Sequence, residues 1–202
     1  MPAVAPRIEV RDAILDAAER LLARFGYRKM SVEDIAREAG IGKGTIYLHF
    51  SSKEEVVLSH VDRIVERVKS RLLEIAASPA PIGTRVRVML VTRVLVRFDA
   101  ATLYSQSLDD LLSALRTGLL ARRARYFDAE AAIFAEILVR GQHAGEFEFG
   151  DARAAAVTLL DATNSLLPYS LSTAELGARD EVSARAGNIA DLLLAGLRQE
   201  RT

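Results

Sequence analysis

The chain of 202 residues balances 27 Lys and Arg against 27 Asp and Glu, half of its residues are hydrophobic, and it has three His and no Cys. This composition excludes a disulfide framework, a thiolate metal site and thiol redox chemistry, and it excludes bulk polyelectrolyte attraction as the means of holding nucleic acid. The length and apolar content suffice for a substantial core, so a disordered chain is excluded as well.

Helical periodicity dominates, and no segment alternates apolar and polar residues long enough for a strand, which predicts an all-α fold. A first helix over about 8–25 puts Ile8, Leu15, Ala18, Leu22 and Phe25 near one face and stops at Gly26. Ser31 with Asp34 resembles a capping box, opening a helix over about 32–39 that ends at Gly40. The next helix, Lys43 to His49, is too short to stand alone and needs Ile46 and Phe50 packed beneath it. Ser52 with Glu55 caps a long helix to about Ile75, whose apolar line is Val57, Val61, Ile64, Val68, Leu72 and Ile75.

Ser78-Pro79-Ala80-Pro81 interrupts the pattern. Beyond it, Val86 to Val96 is apolar on most sides, and Leu103–Leu115, Leu119–Arg140, Ala152–Leu167 and Glu181–Leu197 read as further helices. The opening Met-Pro-Ala-Val-Ala-Pro-Arg does not read as a leader, and no stretch approaches the roughly 18 apolar residues of a membrane span. A soluble, cytoplasmic protein with no membrane partner is expected.

Residues 31–53 carry most of the chemical information. Two short helices joined by a glycine turn suit a helix-turn-helix, in which the second helix enters the DNA major groove and the first fixes its angle. Ala36 and Ala39 allow close packing, and Ile35 and Ile46 supply the buried contact. Lys43, Gly44 and Thr45 stand at the exposed start of the second helix, where side chains reach base edges and amides reach phosphates. Tyr47 and His49 are candidate donors to phosphate, and Lys53 is a candidate clamp on the DNA backbone. The first 55 residues are themselves neutral, so contact depends on how charge is distributed over faces.

Here the residues carry a resemblance. Arg11-x-x-Ile14-Leu15-x-x-Ala18, Phe25-Gly26-Tyr27, Ser31-Val32-x-Asp34-Ile35-Ala36-x-x-Ala39-Gly40 and Gly44-Thr45-x-Tyr47-x-His49-Phe50-x-Ser52-Lys53-Glu54 resemble the N-terminal domain of the TetR family, bacterial transcriptional regulators of the tetracycline-repressor type. The resemblance covers about the first 57 residues. It implies a three-helix DNA-binding domain over 1–52 and a helical effector-binding and dimerisation domain over 53–202, about nine helices in all. It further implies repression relieved by a small-molecule effector. By position, Lys43 is similar to the variable base-reading residue, Thr45 to a base or phosphate contact, Tyr47 and His49 to backbone contacts, and Lys53 to the phosphate clamp. Arg28, Lys29 and Ser31 are flanking candidates. Two departures stand out: Gly44, common in the family, offers no side chain, and Leu48 lies where some relatives have an aromatic residue.

Other motifs carry less. Gly40-Ile-Gly-Lys-Gly-Thr45 is not a phosphate loop, because Gly44 follows Lys43 and Arg37 occupies the upstream glycine position. His60 and His143 lack partners at ligand spacing, so no metal and no cofactor is expected. Phe98, Tyr104, Tyr126, Phe127 and Phe134 read as core, and the resemblance adds a pocket reading in which Asp161 and Asn164 orient a ligand. Leu159, Leu160, Leu166 and Leu167, then Ile189, Leu192, Leu193 and Leu197, make apolar faces that call for a partner, and the resemblance implies a homodimer formed through them. The expected partners are therefore a double-stranded DNA operator, a small-molecule effector and a second copy. The rival readings are an architectural or adaptor DNA-binding protein without effector, and an all-helical enzyme, against which stands the lack of any nucleophile or acid/base constellation.

Overall fold

The computed structural model describes residues 7–104, 108–168 and 177–197. Eight helices are described: α1 (Arg7–Lys29), α2 (Val32–Glu38), α3 (Lys43–His49), α4 (Lys53–Ala76), α5 (Ile82–Thr102), α6 (Leu108–His143), α7 (Ala152–Asn164) and α8 (Arg179–Leu197). Among the described residues there is no strand, as the periodicity predicts. The chain divides into two compact units, one of the residues up to Arg63 with Leu103–Ala121, the other of Ile64–Thr102 with the residues from Arg122 onward. The first unit thus takes in more than residues 1–52, because the start of α4 and part of α6 belong to its core.

In that unit α1, α2 and α3 close over Ile14, Leu15, Leu22, Ile35, Ile46 and Phe50, joined by Val56 and Val57 of α4 and Leu115 of α6. Gly26 interrupts α1 with φ 74° and ψ 170°, so the break expected there is real although one further turn follows to Lys29. Phe25, expected on the core face, stands 47 % exposed with the Arg24 guanidinium 5.0 Å from its ring. The side chain of Ile8 lies outside the described residues. In the second unit, Val68 and Leu72 of α4 meet Met89, Leu90, Phe134, Ile137 and Leu160. A smaller cluster joins Val94, Phe98, Leu166, Leu167, Val182 and Ala186.

Several helix boundaries differ from expectation. Leu103–Leu115 and Leu119–Arg140 are not two helices; α6 runs unbroken from Leu108 to His143. Gly118 is no breaker there: an added Cβ would stand 2.5 Å from Leu58 Cδ1, so the missing side chain serves a close approach to α4. Leu103 and Tyr104 form a turn, and 105–107, expected to be helical, lie outside the described residues. α7 stops at Asn164, with Ser165 as its cap, rather than at Leu167.

Candidate nucleic-acid interface

The entry to α2 is a reciprocal cap. The Asp34 amide donates to Ser31 Oγ at 3.1 Å, and the Ser31 amide donates to Asp34 Oδ2 at 3.0 Å. The Ser31 hydroxyl also donates to that carboxylate at 2.6 Å, which holds the Asp34 carboxyl below its ordinary range. Ser31, a candidate DNA contact, is thus half-buried and occupied as a cap. At the other end, the Ile41 amide donates to the Ala36 carbonyl at 2.9 Å and the Gly40 amide to the Arg37 carbonyl at 3.2 Å. This paired closure is a Schellman motif, and it requires the φ of +68° that Gly40 adopts. The angle between α2 and α3 is therefore set by backbone hydrogen bonds and by Ile35 and Ile46, both wholly buried.

α3 presents Tyr47, 50 % exposed, and Leu48, 73 % exposed, together with an open Gly44 and Lys43. Thr45 and His49 are half-buried, His49 with its ring centroid 6.4 Å from that of Phe50. Lys43 does not stand alone: its ammonium is hydrogen-bonded to Glu33 of α2 and lies 6.0 Å from the Tyr47 ring. The Glu33 hydrogen bond raises the Lys43 pKa, and the same bond lowers that of Glu33. Arg28 is exposed and paired with Asp110 at 2.8 Å, and Lys29 is exposed beside it. Arg20–Glu38 and Arg37–Asp34 add further pairs on α1 and α2.

Lys53 departs most from the position assigned to it. Its ammonium donates to the carbonyls of Tyr27 and Met30, 3.0 Å each, and sits 4.2 Å from the Tyr27 ring. Those carbonyls lie in the turn after Gly26 and just beyond the end of α1, so Lys53 joins the first turn of α4 to the end of α1. Burial pushes its pKa down. Sequence order hides this contact, which spans 26 and 23 residues.

The remaining candidates are dispersed. Tyr104 belongs to the core of the first unit, its hydroxyl 2.7 Å from His60 Nε2. In the second unit, Phe98 and Phe134 are buried in different clusters, Tyr126, Phe127 and Asn164 are half-buried, and Asp161 is exposed. A polar cluster missed in the sequence lies beside Asn164. Arg93 donates to Glu130 Oε2 at 2.6 Å, to Thr163 Oγ1 at 3.0 Å and to Asn164 Oδ1 at 2.8 Å. Arg97 pairs with the other Glu130 oxygen, and all three ionised groups are buried. Burial would raise the Glu130 pKa, but the Arg97 and Arg93 guanidiniums outweigh it and hold the carboxyl below its ordinary range. The signal was available as arginines within the apolar run of α5.

The leucine faces need a correction. Leu159, Leu160, Leu166 and Leu167 are at most 4 % exposed within the single chain, so a partner has nothing of them to cover. Leu192 is 76 % exposed, with Ile189, Leu193 and Leu197 half-buried on the same helix. Among the described residues, no group of His, Cys, Asp and Glu is arranged to hold a metal, and no helix is long and apolar enough to cross a membrane.

The model of bacterial regulatory proteins of the tetR family matches residues 14–59. The transcriptional regulator EthR of Mycobacterium tuberculosis is 43 % identical over 68 residues, 34 % of this chain and 32 % of the relative. The fatty acid metabolism regulator protein of Bacillus subtilis is 36 % identical over 69 residues, 32 % of this chain and 36 % of the relative. The chain thus spans about a third of the length of the curated relatives it matches. A solved structure extends the likeness: a TetR/AcrR-family regulator from Thermobifida fusca is 31 % identical over 95 % of this chain and 100 % of that one, with a TM-score of 0.64.

Proposed function

Because this chain belongs to the TetR family of bacterial regulatory proteins, we propose that it is a sequence-specific DNA-binding transcriptional regulator, a repressor that a small-molecule effector releases from a palindromic operator. Residues 1–52 are the reading head, and 53–202 bind effector and form the dimer. The observation that carries this reading is the outward face of α3, held at a fixed angle by the Gly40 turn and the buried Ile46. Lys43 and Thr45 face the bases, with Arg28 and Lys29 flanking them, while Tyr47 and His49 serve the phosphates.

A seven-residue reading helix in a neutral head binds weakly on its own, and two linked heads gain effective concentration. The heads of a dimer then match a spacing of roughly 34–36 Å, one turn of DNA. The second copy meets the outward side of α8 at Leu192, with Leu193 and Leu197 beside it. Effector bound to the second unit biases the position of α4, and a differential affinity of about 1–3 kcal/mol suffices to change occupancy about 5- to 150-fold. The protein acts in the cytoplasm on double-stranded DNA.

The test is selection of bound DNA from a random pool, followed by equilibrium sedimentation of the protein alone and on the selected site. A palindromic consensus bound by a dimer is expected. Equal binding of random and selected DNA would favour an architectural role instead.

A further inference from the structure

The buried side chain of the seven-residue α3 is Ile46, 0 % exposed. At 3.6 residues per turn, positions two before and two after it lie about 160° away around the helix. Gly44 and Leu48 therefore share the ridge directed away from the core. Nothing lies within 4 Å of where a Gly44 Cβ would be, and Leu48 is 73 % exposed. A ridge that begins with bare backbone can approach an opposing surface closely, and the residue one turn on is carried in with it. That residue has neither donor nor acceptor. In the unbound chain the polar side chains on either side of Gly44 are engaged, Lys43 with Glu33 of α2 and Thr45 by being half-buried, while Leu48 stands open.

In the major groove, thymine alone among the bases presents an apolar group, its C5 methyl. A polar base edge pressed against Leu48 would lose water and gain no partner, whereas a methyl group gains by leaving water. Resting on the reading of α3 as the helix that enters the groove, we infer that Leu48 is a specificity-determining residue that selects a thymine in each half-site through its C5 methyl, with Gly44 permitting the approach.

The experiment uses the full chain and the DNA selected from a random pool. Each thymine of a half-site is replaced in turn by uracil, which removes only the methyl, and the affinities of the wild type and Leu48→Ala are compared. At one position, uracil should weaken the wild type about fourfold, the worth of one buried carbon. Leu48→Ala should bind the thymine and uracil forms alike, with an unchanged dependence on salt because no phosphate contact is lost. Indifference of the wild type to uracil at every position would overturn the inference, as would an undiminished preference in Leu48→Ala. Either result leaves sequence-specific binding intact, whereas a pool that yields no consensus removes the DNA-reading proposal and this inference together. The DNA-side substitution leaves the protein unaltered, so a folding defect in the variant cannot produce the wild-type result.

Discussion

At Lys53 an ammonium has a choice of acceptors, and in the unbound chain it takes the carbonyls of Tyr27 and Met30. Hydrogen bonds from a charged donor are worth about 1.5–3 kcal/mol where they are shielded, and this half-buried group falls toward the lower end. Lys53→Met should therefore lower the stability of the chain by about 1–2 kcal/mol in urea unfolding. It should weaken all DNA sequences together without changing base preference; a changed consensus would contradict a positioning role. Lys43 differs, because its partner Glu33 is exposed and, on the proposed reading of α3, would compete with DNA for it. Glu33→Gln should strengthen binding at low salt, and this gain should shrink as salt screens the pair. Lys43→Ala should relax the preference at one base position, read from the selected pool.

At the scale of elements, the glycines of the first unit have separate tasks. Gly40→Ala forces a left-handed residue at φ +68° and should cost about 1–2 kcal/mol. Gly118→Ala sets a gain in helix propensity of about 1 kcal/mol against overpacking of Leu58, which costs about 1–3 kcal/mol. A net loss is expected, and adding Leu58→Ala should make the double variant more stable than the sum of the single losses, as a shared contact requires. The α2–α3 unit was legible in the sequence because its signals are local: Ser31 and Asp34 are three residues apart, and Gly40 sits where the turn needs it. The continuity of α6 was not legible, since the pattern predicts one helix ending at Leu115 and another starting at Leu119, and the approach of Gly118 to Leu58 joins residues far apart in sequence.

For the whole molecule, the buried Arg93–Glu130–Arg97 cluster joins α5 to α6 and, through Thr163 and Asn164, to α7. Removing one member of such a cluster costs about 3–5 kcal/mol, and Glu130→Gln should show a loss of that order near neutral pH. The Glu130 pKa is lowered in the fold, so its contribution is present above the unfolded carboxylate value and is lost as pH falls through the lowered one. The stability advantage of the wild type over Glu130→Gln should accordingly shrink below about pH 4 in thermal melts. A gap constant with pH would contradict a charged Glu130. Association is tested by paired substitutions: Leu192→Lys should yield a folded monomer in sedimentation, whereas Leu160→Lys should unfold the chain, because Leu160 is wholly buried and Leu192 is exposed.

Helix periods, caps and the glycine turn made the all-helical fold and the reading head visible in the residue order, because each depends on neighbours within about a turn. The partners of the charges and the inward face of α7 were decided only in three dimensions. Lys53 meets carbonyls 26 and 23 residues away, and Arg93 meets Glu130 across 37. No periodicity records such separations. A leucine stripe likewise shows that a face will be covered, but whether by the chain itself, as at Leu159 and Leu160, or left open, as at Leu192, depends on which helices arrive beside it.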